Sequence, residues 1–276
     1  MQRLNVSCRL WPEGRAECNR KYLERRDNHD LQRVRGLTED LRGLWTFPRL
    51  PRETSTDRQI DIYRMDKAMI TRNARLAAKL VSALKRRHYD ACFCNDTTAL
   101  LQRVKELIPE GSSITWGGSM SIRSTGVTGM LKNGNYKVYD RDEVTDPDDK
   151  VRIYRKAFEC DYYLSSVNAM TEDGIIVNID GNGNRVAALS WGPAHVLFVV
   201  GLNKVCRDLE TAVSRARCVA APINMARFDC PTPCQKDGVC HDCLSKDSIC
   251  NYISIQRMSH PAGRHIVLLV GEDLGY

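Results

Sequence analysis

The chain has no apolar run approaching the roughly 20 residues that cross a bilayer. It shows no basic segment followed by an apolar one at its amino terminus, the mark of a secretory leader, so a cytoplasmic location is expected. No GxGxxG follows a strand pattern, which argues against a standalone nicotinamide dehydrogenase. There is no internal repeat and no low-complexity tract, and no Ser/His/Asp set can be assembled. Aromatic residues make up 7% of the chain, and from Met65 onward no basic stripe is interleaved with them. A nucleic-acid partner is therefore not expected.

What is present is a soluble, globular composition: 276 residues, 42% hydrophobic and 27% charged. That length suits one large or two small domains. The net charge of +7 is uneven. Residues 1–64 hold 13 Arg and one Lys against ten acids, and carry Pro12, Pro48 and Pro51. Their best periodic stretch is Leu31, Val34, Leu37, Leu41 and Leu44. We read 1–64 as a disordered extension or as sequence upstream of a true start at Met65, with one α/β domain over 65–276.

From Ala68 the pattern turns helical, with Ile70, Ala74, Ala77, Val81 and Leu84 at spacings of three and four. Residues 91–94 read as a strand. Asp96 can cap a helix carrying Leu100, Val104, Leu107 and Ile108, ended by Pro109. Residues 113–116 read as a second strand, completing a strand–helix–strand unit of a parallel sheet. Further strands are expected at 136–139, 162–166, 196–200 and 266–270. Asp146-Pro147 should start one helix, and Leu209, Val213, Ala216 and Ala220 should form another, closed by Pro222. Strands at 175–179 and 185–189, joined by Asp180-Gly181-Asn182-Gly183-Asn184, should form a hairpin. The expected fold is α/β, a mostly parallel open sheet with helices on both faces.

In such sheets ligands bind beyond the carboxyl ends of the strands. Gly117, Gly118 and Ser119 can bring backbone N–H groups to an anion. Asn168, Glu172 and Asp173 follow the strand at 162–166, and Asn203 and Lys204 follow the one at 196–200. Asp180, Asn182, Asn184 and Arg185 come from the hairpin. Each has a plainer reading: a Gly-Gly turn serves geometry, Asn182 and Asn184 serve turns, and Lys204 is a solvated loop lysine.

Twelve cysteines in a chain of this size point to reduced thiols and, where they crowd, to metal. Five fall within 21 residues: Cys230, Cys234, Cys240, Cys243 and Cys250. An ordered loop so poor in apolar residues needs a tie, and four thiolates hold zinc or an iron–sulfur cluster. His241 is a spare ligand. Cys92 and Cys94 are read as core thiols facing opposite ways, and His195 as structural.

Several motifs in order, IPEGSSITWGGSMS, TEDGIIVNIDGNGNRVAAL, VVGLNK, RARCVAAPIN, TPCQKDGVCHDCLSKDSICN and GRHIVLLVGEDLGY, closely resemble the LUD (lactate utilisation) domain family. The resemblance covers roughly 65–276 and implies the fold of the sugar-phosphate isomerase and CoA-transferase-like superfamily. It favours Cys234, Cys240, Cys243 and Cys250 as the metal set, with Cys230 outside it, and tilts the metal toward an iron–sulfur cluster. It also implies a part in oxidising L-lactate to pyruvate, with a small anionic substrate and redox partner proteins. A CoA- or sugar-phosphate-handling enzyme, or a non-catalytic ligand-binding subunit with structural zinc, are the other readings. Glu172 is the candidate general base or CoA-type nucleophile. The sequence departs from the family at Ser121-Ile122-Arg123-Ser124-Thr125, where family members often carry an acid.

Overall fold

Ala77, Leu80, Ala83 and Leu84 line one side of α1 (Lys67–Arg86) and are buried, so this helix is held by an apolar stripe at three- and four-residue spacing. The computed structural model describes residues 67–276, so the reading of 1–64 lies outside the described residues. The stripe is rotated from the one expected. Ile70 is exposed, while Asn73 is buried and its side chain donates to Gly271 O at 3.4 Å.

Six strands build an all-parallel sheet: β1 (Asp90–Cys94), β2 (Ser113–Trp116), β3 (Lys137–Tyr139), β4 (Tyr162–Ser165), β7 (His195–Gly201) and β10 (His265–Val270). Their spatial order is β1-β10-β7-β4-β2-β3. Central strand β7 pairs with β10 from Val196↔His265 to Gly201↔Val270, and with β4 from His195↔Tyr162 to Phe198↔Ser165. Alternation sends Leu197 and Val199 to one core with Leu100, Val104 and Ile114 of α2 (Thr97–Leu107) and β2. Phe198 and Val200 go to the other core with Leu80 and Leu84 of α1. Continuous apolar runs in β7 and β10 thus reflect cover on both faces.

The caps fell where the sequence places them. Asp96 accepts from Ala99 N at 2.8 Å, and Asp146 accepts from Asp148 N and Asp149 N ahead of α5 (Pro147–Lys156). Helices α3 (Met120–Ser124) and α4 (Val127–Lys132) follow the Gly-rich turn.

Three expectations are corrected. The hairpin lies one turn earlier than read: β5 (Ala169–Thr171) and β6 (Ile176–Asp180) pair antiparallel around Asp173-Gly174, with Gly174 at φ +90°. Residues 184–190 are not a strand but α6 (Asn184–Ser190), because Asp180 Oδ2 accepts from Arg185 N at 3.0 Å and Val186 N at 3.1 Å. Those bonds satisfy orphan donors of the first turn, and Ala187-Ala188-Leu189 then propagates it.

Nor does Pro222 close the helix begun by α7 (Leu209–Arg215). A π turn over Ala216–Ala220 leads straight into α8 (Ala221–Met225), so Pro222, which has no N–H to give, sits where the regular α ladder is already interrupted. A second sheet, ordered β8-β5-β6-β9, was not anticipated; it adds β8 (Val205–Cys206) and β9 (Tyr252–Gln256). Cys92 and Cys94 also share a face of β1, as residues two apart on a strand must, and both pack on the same core.

Candidate functional site

Parallel pairing brings the carboxyl ends of four adjacent strands, β10, β7, β4 and β2, to one edge. There the loops Gly271–Gly275, Leu202–Lys204, Ser166–Asn168 and Gly117–Ser121 converge.

Lys204 is the centre of this edge. It is 3% exposed, and its Nζ donates to Ser121 Oγ at 2.7 Å, Ser166 Oγ at 3.2 Å and Val167 O at 3.1 Å. The reading of a solvated lysine is thereby corrected, since β7 ends under the loops of β4 and β2 and water is excluded. Among the described residues no carboxylate pairs with it. Burial, then the Arg215 and Arg185 guanidinium groups, pulls its pKa down to about 7.

Two arginines act on that lysine, and a third lies nearer Gly118. Arg215 donates to Asn168 O, and Arg185 donates to Asn178 Oδ1 at 3.0 Å and Asn168 Oδ1 at 3.1 Å. Asn168 is thus the hub that fixes two cations, and its Oδ1 also accepts from Ile179 N at 2.9 Å. Arg141 lies across Gly118, where an added Cβ would collide with its Nη2. A Cβ on Gly117 would meet Arg185 Cδ at 3.0 Å and Tyr163 Oη at 3.1 Å. Both glycines therefore serve close approach of side chains. Ser119 caps the short α3, accepting from Ile122 N at 3.4 Å. Burial pushes the Tyr163 phenol up to about 12, against the pull of Arg185 and Arg141.

The remaining expected residues divide. Asp180 anchors the start of α6, accepting also from Asn182 N and Gly183 N, and lies 3.9 Å from Arg185 Nε. Asn184 opens α6. Asn203 accepts from Leu274 N at 3.2 Å and donates to Gly275 O at 3.4 Å, strapping the segment after β10 over the edge. Glu172 and Asp173 stand at the β5–β6 turn, where they pair with Lys79 on α1 and Arg87 just after it. No hydrogen bond joins either to the Lys204 set. His195 stacks on Tyr162 with ring centres 5.0 Å apart, and its Nδ1 has no hydrogen-bond partner among the described residues.

In the cysteine segment, Cys234 lies on α9 (Pro233–Asp237), and Cys240, Cys243 and Cys250 follow in a loop that crosses to β9. All four are free and half-buried. Burial, and then the nearby Cys234 and Cys240 and further Cys243, pushes the Cys250 thiol up to about 11, so the four share one neighbourhood. Among the described residues, however, no three Cys, His, Asp or Glu side chains close to metal-holding distance. As a donor set, four thiolates fit zinc or an iron–sulfur cluster. His241 is tied to Asp237 at 2.7 Å.

The family model of the LUD domain matches residues 77–270, spanning the Lys204 set and all four of these cysteines. The chain belongs to the LUD domain family. It is also similar to a solved DUF162 family protein from Deinococcus radiodurans, with 11% identity over 72% of this chain and 97% of that one and a TM-score of 0.43. No curated protein matches it. No helix among the described residues is long and apolar enough to cross a membrane.

Within this LUD domain, sequence reasoning missed Ser121, Ser166, Arg141 and Arg215 as members of the edge. Ser121 and Arg215 stand inside the motifs GSMS and RARC that carry the resemblance, so a signal existed. Ser166 stands in the polar run that ends the strand at 162–166, while Arg141 gave no signal, because only the sheet order brings its loop beside the one after β2. At the position of the departure, Ser124 Oγ donates to Ser121 O at 3.3 Å, within helix α3.

Proposed function

We propose that the edge around Lys204 binds a small carboxylate and that the protein takes part in the oxidation of L-lactate to pyruvate as one component of a redox assembly. The observation that carries the reading is a buried lysine flanked by two arginines, with no carboxylate among the described residues to neutralise it. Burying such charge is costly unless an anion pairs with it. Two serine hydroxyls beside the ammonium suit a carboxylate and its neighbouring hydroxyl, the shape of a 2-hydroxy acid. Family membership supports lactate as that acid. Cys234, Cys240, Cys243 and Cys250 would hold the metal; an iron–sulfur cluster there would carry electrons, and zinc would only brace the loop.

Calorimetric titration with L-lactate, pyruvate and inorganic phosphate tests the site, alongside iron, sulfide and zinc analysis and lactate-dependent dye reduction after anaerobic purification. Lactate or pyruvate should bind more tightly than phosphate, and Lys204→Met should abolish that binding. Equal affinity for all three, or binding indifferent to Lys204→Met, overturns the carboxylate reading. A colourless protein without iron removes the redox part.

A further inference from the structure

Two hydroxyls and one amine meet at the covered edge of the sheet. Ser121 Oγ is 2.7 Å from Lys204 Nζ, with Ser166 Oγ at 3.2 Å and Val167 O at 3.1 Å. A neutral amine has two donors and one lone pair. Ser166 Oγ and Val167 O can take the donors, which leaves the lone pair for the Ser121 hydroxyl. The charged groups that face this amine, Arg215 and Arg185, are both cations and favour its unprotonated form. A serine within reach of a desolvated lysine has the parts of a nucleophile and its base.

We propose that Ser121 is a nucleophile for acyl transfer from an ester or thioester, with Lys204 as its general base. Lys204 takes the Ser121 proton as Oγ attacks the acyl carbon. The carbon–oxygen or carbon–sulfur bond then breaks, and the alcohol or thiol leaves with the proton from the Lys204 ammonium. Water repeats the sequence on the acyl-serine: it gives a proton to Lys204, releases the carboxylic acid and restores the hydroxyl. Negative charge on the carbonyl oxygen develops in the field of Arg185 and Arg215.

The segment after β10 governs access. Ser121 is 1% exposed, and its hydroxyl donates to Leu274 O at 3.2 Å, directed away from Lys204. Asn203 holds that same segment through Leu274 N and Gly275 O. When it lifts, the hydroxyl is uncovered and free to turn toward the amine.

This goes beyond the carboxylate reading and does not need lactate as a substrate. The test treats the full chain with a fluorophosphonate reagent and locates the adduct by peptide mass spectrometry across a pH series. An adduct on Ser121 is expected, absent in Ser121→Ala, with a rate that climbs through pH about 7. It should form about a hundredfold more slowly in Lys204→Met. Asn203→Ala should form it about thirtyfold faster, as loss of both strap hydrogen bonds implies. Ser166→Ala should move the midpoint of the pH profile, which a purely structural role would not.

No adduct on Ser121 in either the parent chain or Asn203→Ala overturns the proposal, as does a rate that is flat with pH. The pH profile of the parent chain decides the matter even if Lys204→Met does not fold. Lactate titration separates the two ideas: binding without labelling removes the nucleophile alone, and labelling without binding removes lactate alone.

Discussion

The edge around Lys204 and the cysteine segment both gather polar groups, but they are built in opposite ways. At the edge, each group is fixed by backbone that the parallel sheet has already ordered, so a lysine can be held dry with three acceptors in place. The segment from Thr232 to Asn251 has one five-residue helix and then open loop, and Leu244 is fully exposed. Its cysteines share a neighbourhood without closing into a cage. Preorganisation comes from the strands in the first case; in the second it would fall to the metal proposed for the four thiolates.

The largest test of that contrast uses two glycines. Gly201 ends β7, and a Cβ there would lie 2.6 Å from Leu274 N and 2.8 Å from Glu272 O, both backbone atoms that cannot swing aside. Gly201→Ala should cost about 3 kcal/mol of stability by overpacking, read from urea unfolding. Gly238 caps α9 at φ +77° with nothing within 4 Å of an added Cβ. Gly238→Ala should cost only the left-handed strain, about 1 kcal/mol. Equal losses would mean that the segment is as tightly organised as the sheet.

The next effect is on pH dependence, and its sign differs between folding and binding. The Lys204 pKa falls from the ordinary 10.5 to about 7 on folding. Between those values the unfolded chain holds the extra proton, so stability from this group rises with pH across the window and is lowest below 7. Carboxylate binding needs the ammonium and should weaken about tenfold per pH unit above 7. Lys204→Met should flatten the stability profile and leave no carboxylate binding to follow. A parent chain whose affinity is constant from neutral to alkaline pH would show that the lysine does not face the ligand.

A smaller effect is expected across the two regions. Cys240→Ser combined with Cys243→Ser should remove any bound metal yet leave carboxylate affinity within about twofold, because neither cysteine hydrogen-bonds to a member of the Lys204 set. A larger loss would couple the segment to the edge, and redox transfer between them would become the thing to measure.

What could be read without the structure follows from locality. Asp96 and Asp146 cap their helices, and β2 occupies Ser113–Trp116, because each signal lies within a few residues of its effect. The stretch after Asp180 misled because Gly and Asn suit a hairpin and a helix entry alike. Its outcome turned on an aspartate reaching five and six residues ahead. The place of Lys204 was legible, at a strand's carboxyl end in a family motif. Its burial was not, since that depends on Ser121 and Ser166 arriving from β2 and β4, 83 and 38 residues away.

Glu172 supplies the smallest prediction and the sharpest check on that lesson. The sequence offered it as the acid to test, in a motif as strong as the one that holds Lys204. The fold sets its carboxylate at an exposed turn, paired with Lys79. Exposed pairs of this kind contribute at most about 1 kcal/mol, so Glu172→Gln should lower the urea midpoint only slightly. The pair shares no hydrogen bond with Ser121, Lys204 or Asn168, so lactate affinity and Ser121 labelling should both stay at parent values. A fall in turnover with binding and stability intact would return Glu172 to the chemistry. It would then also require the β5–β6 turn to close on the edge during reaction, since only motion could bring that carboxylate to a ligand held at Lys204.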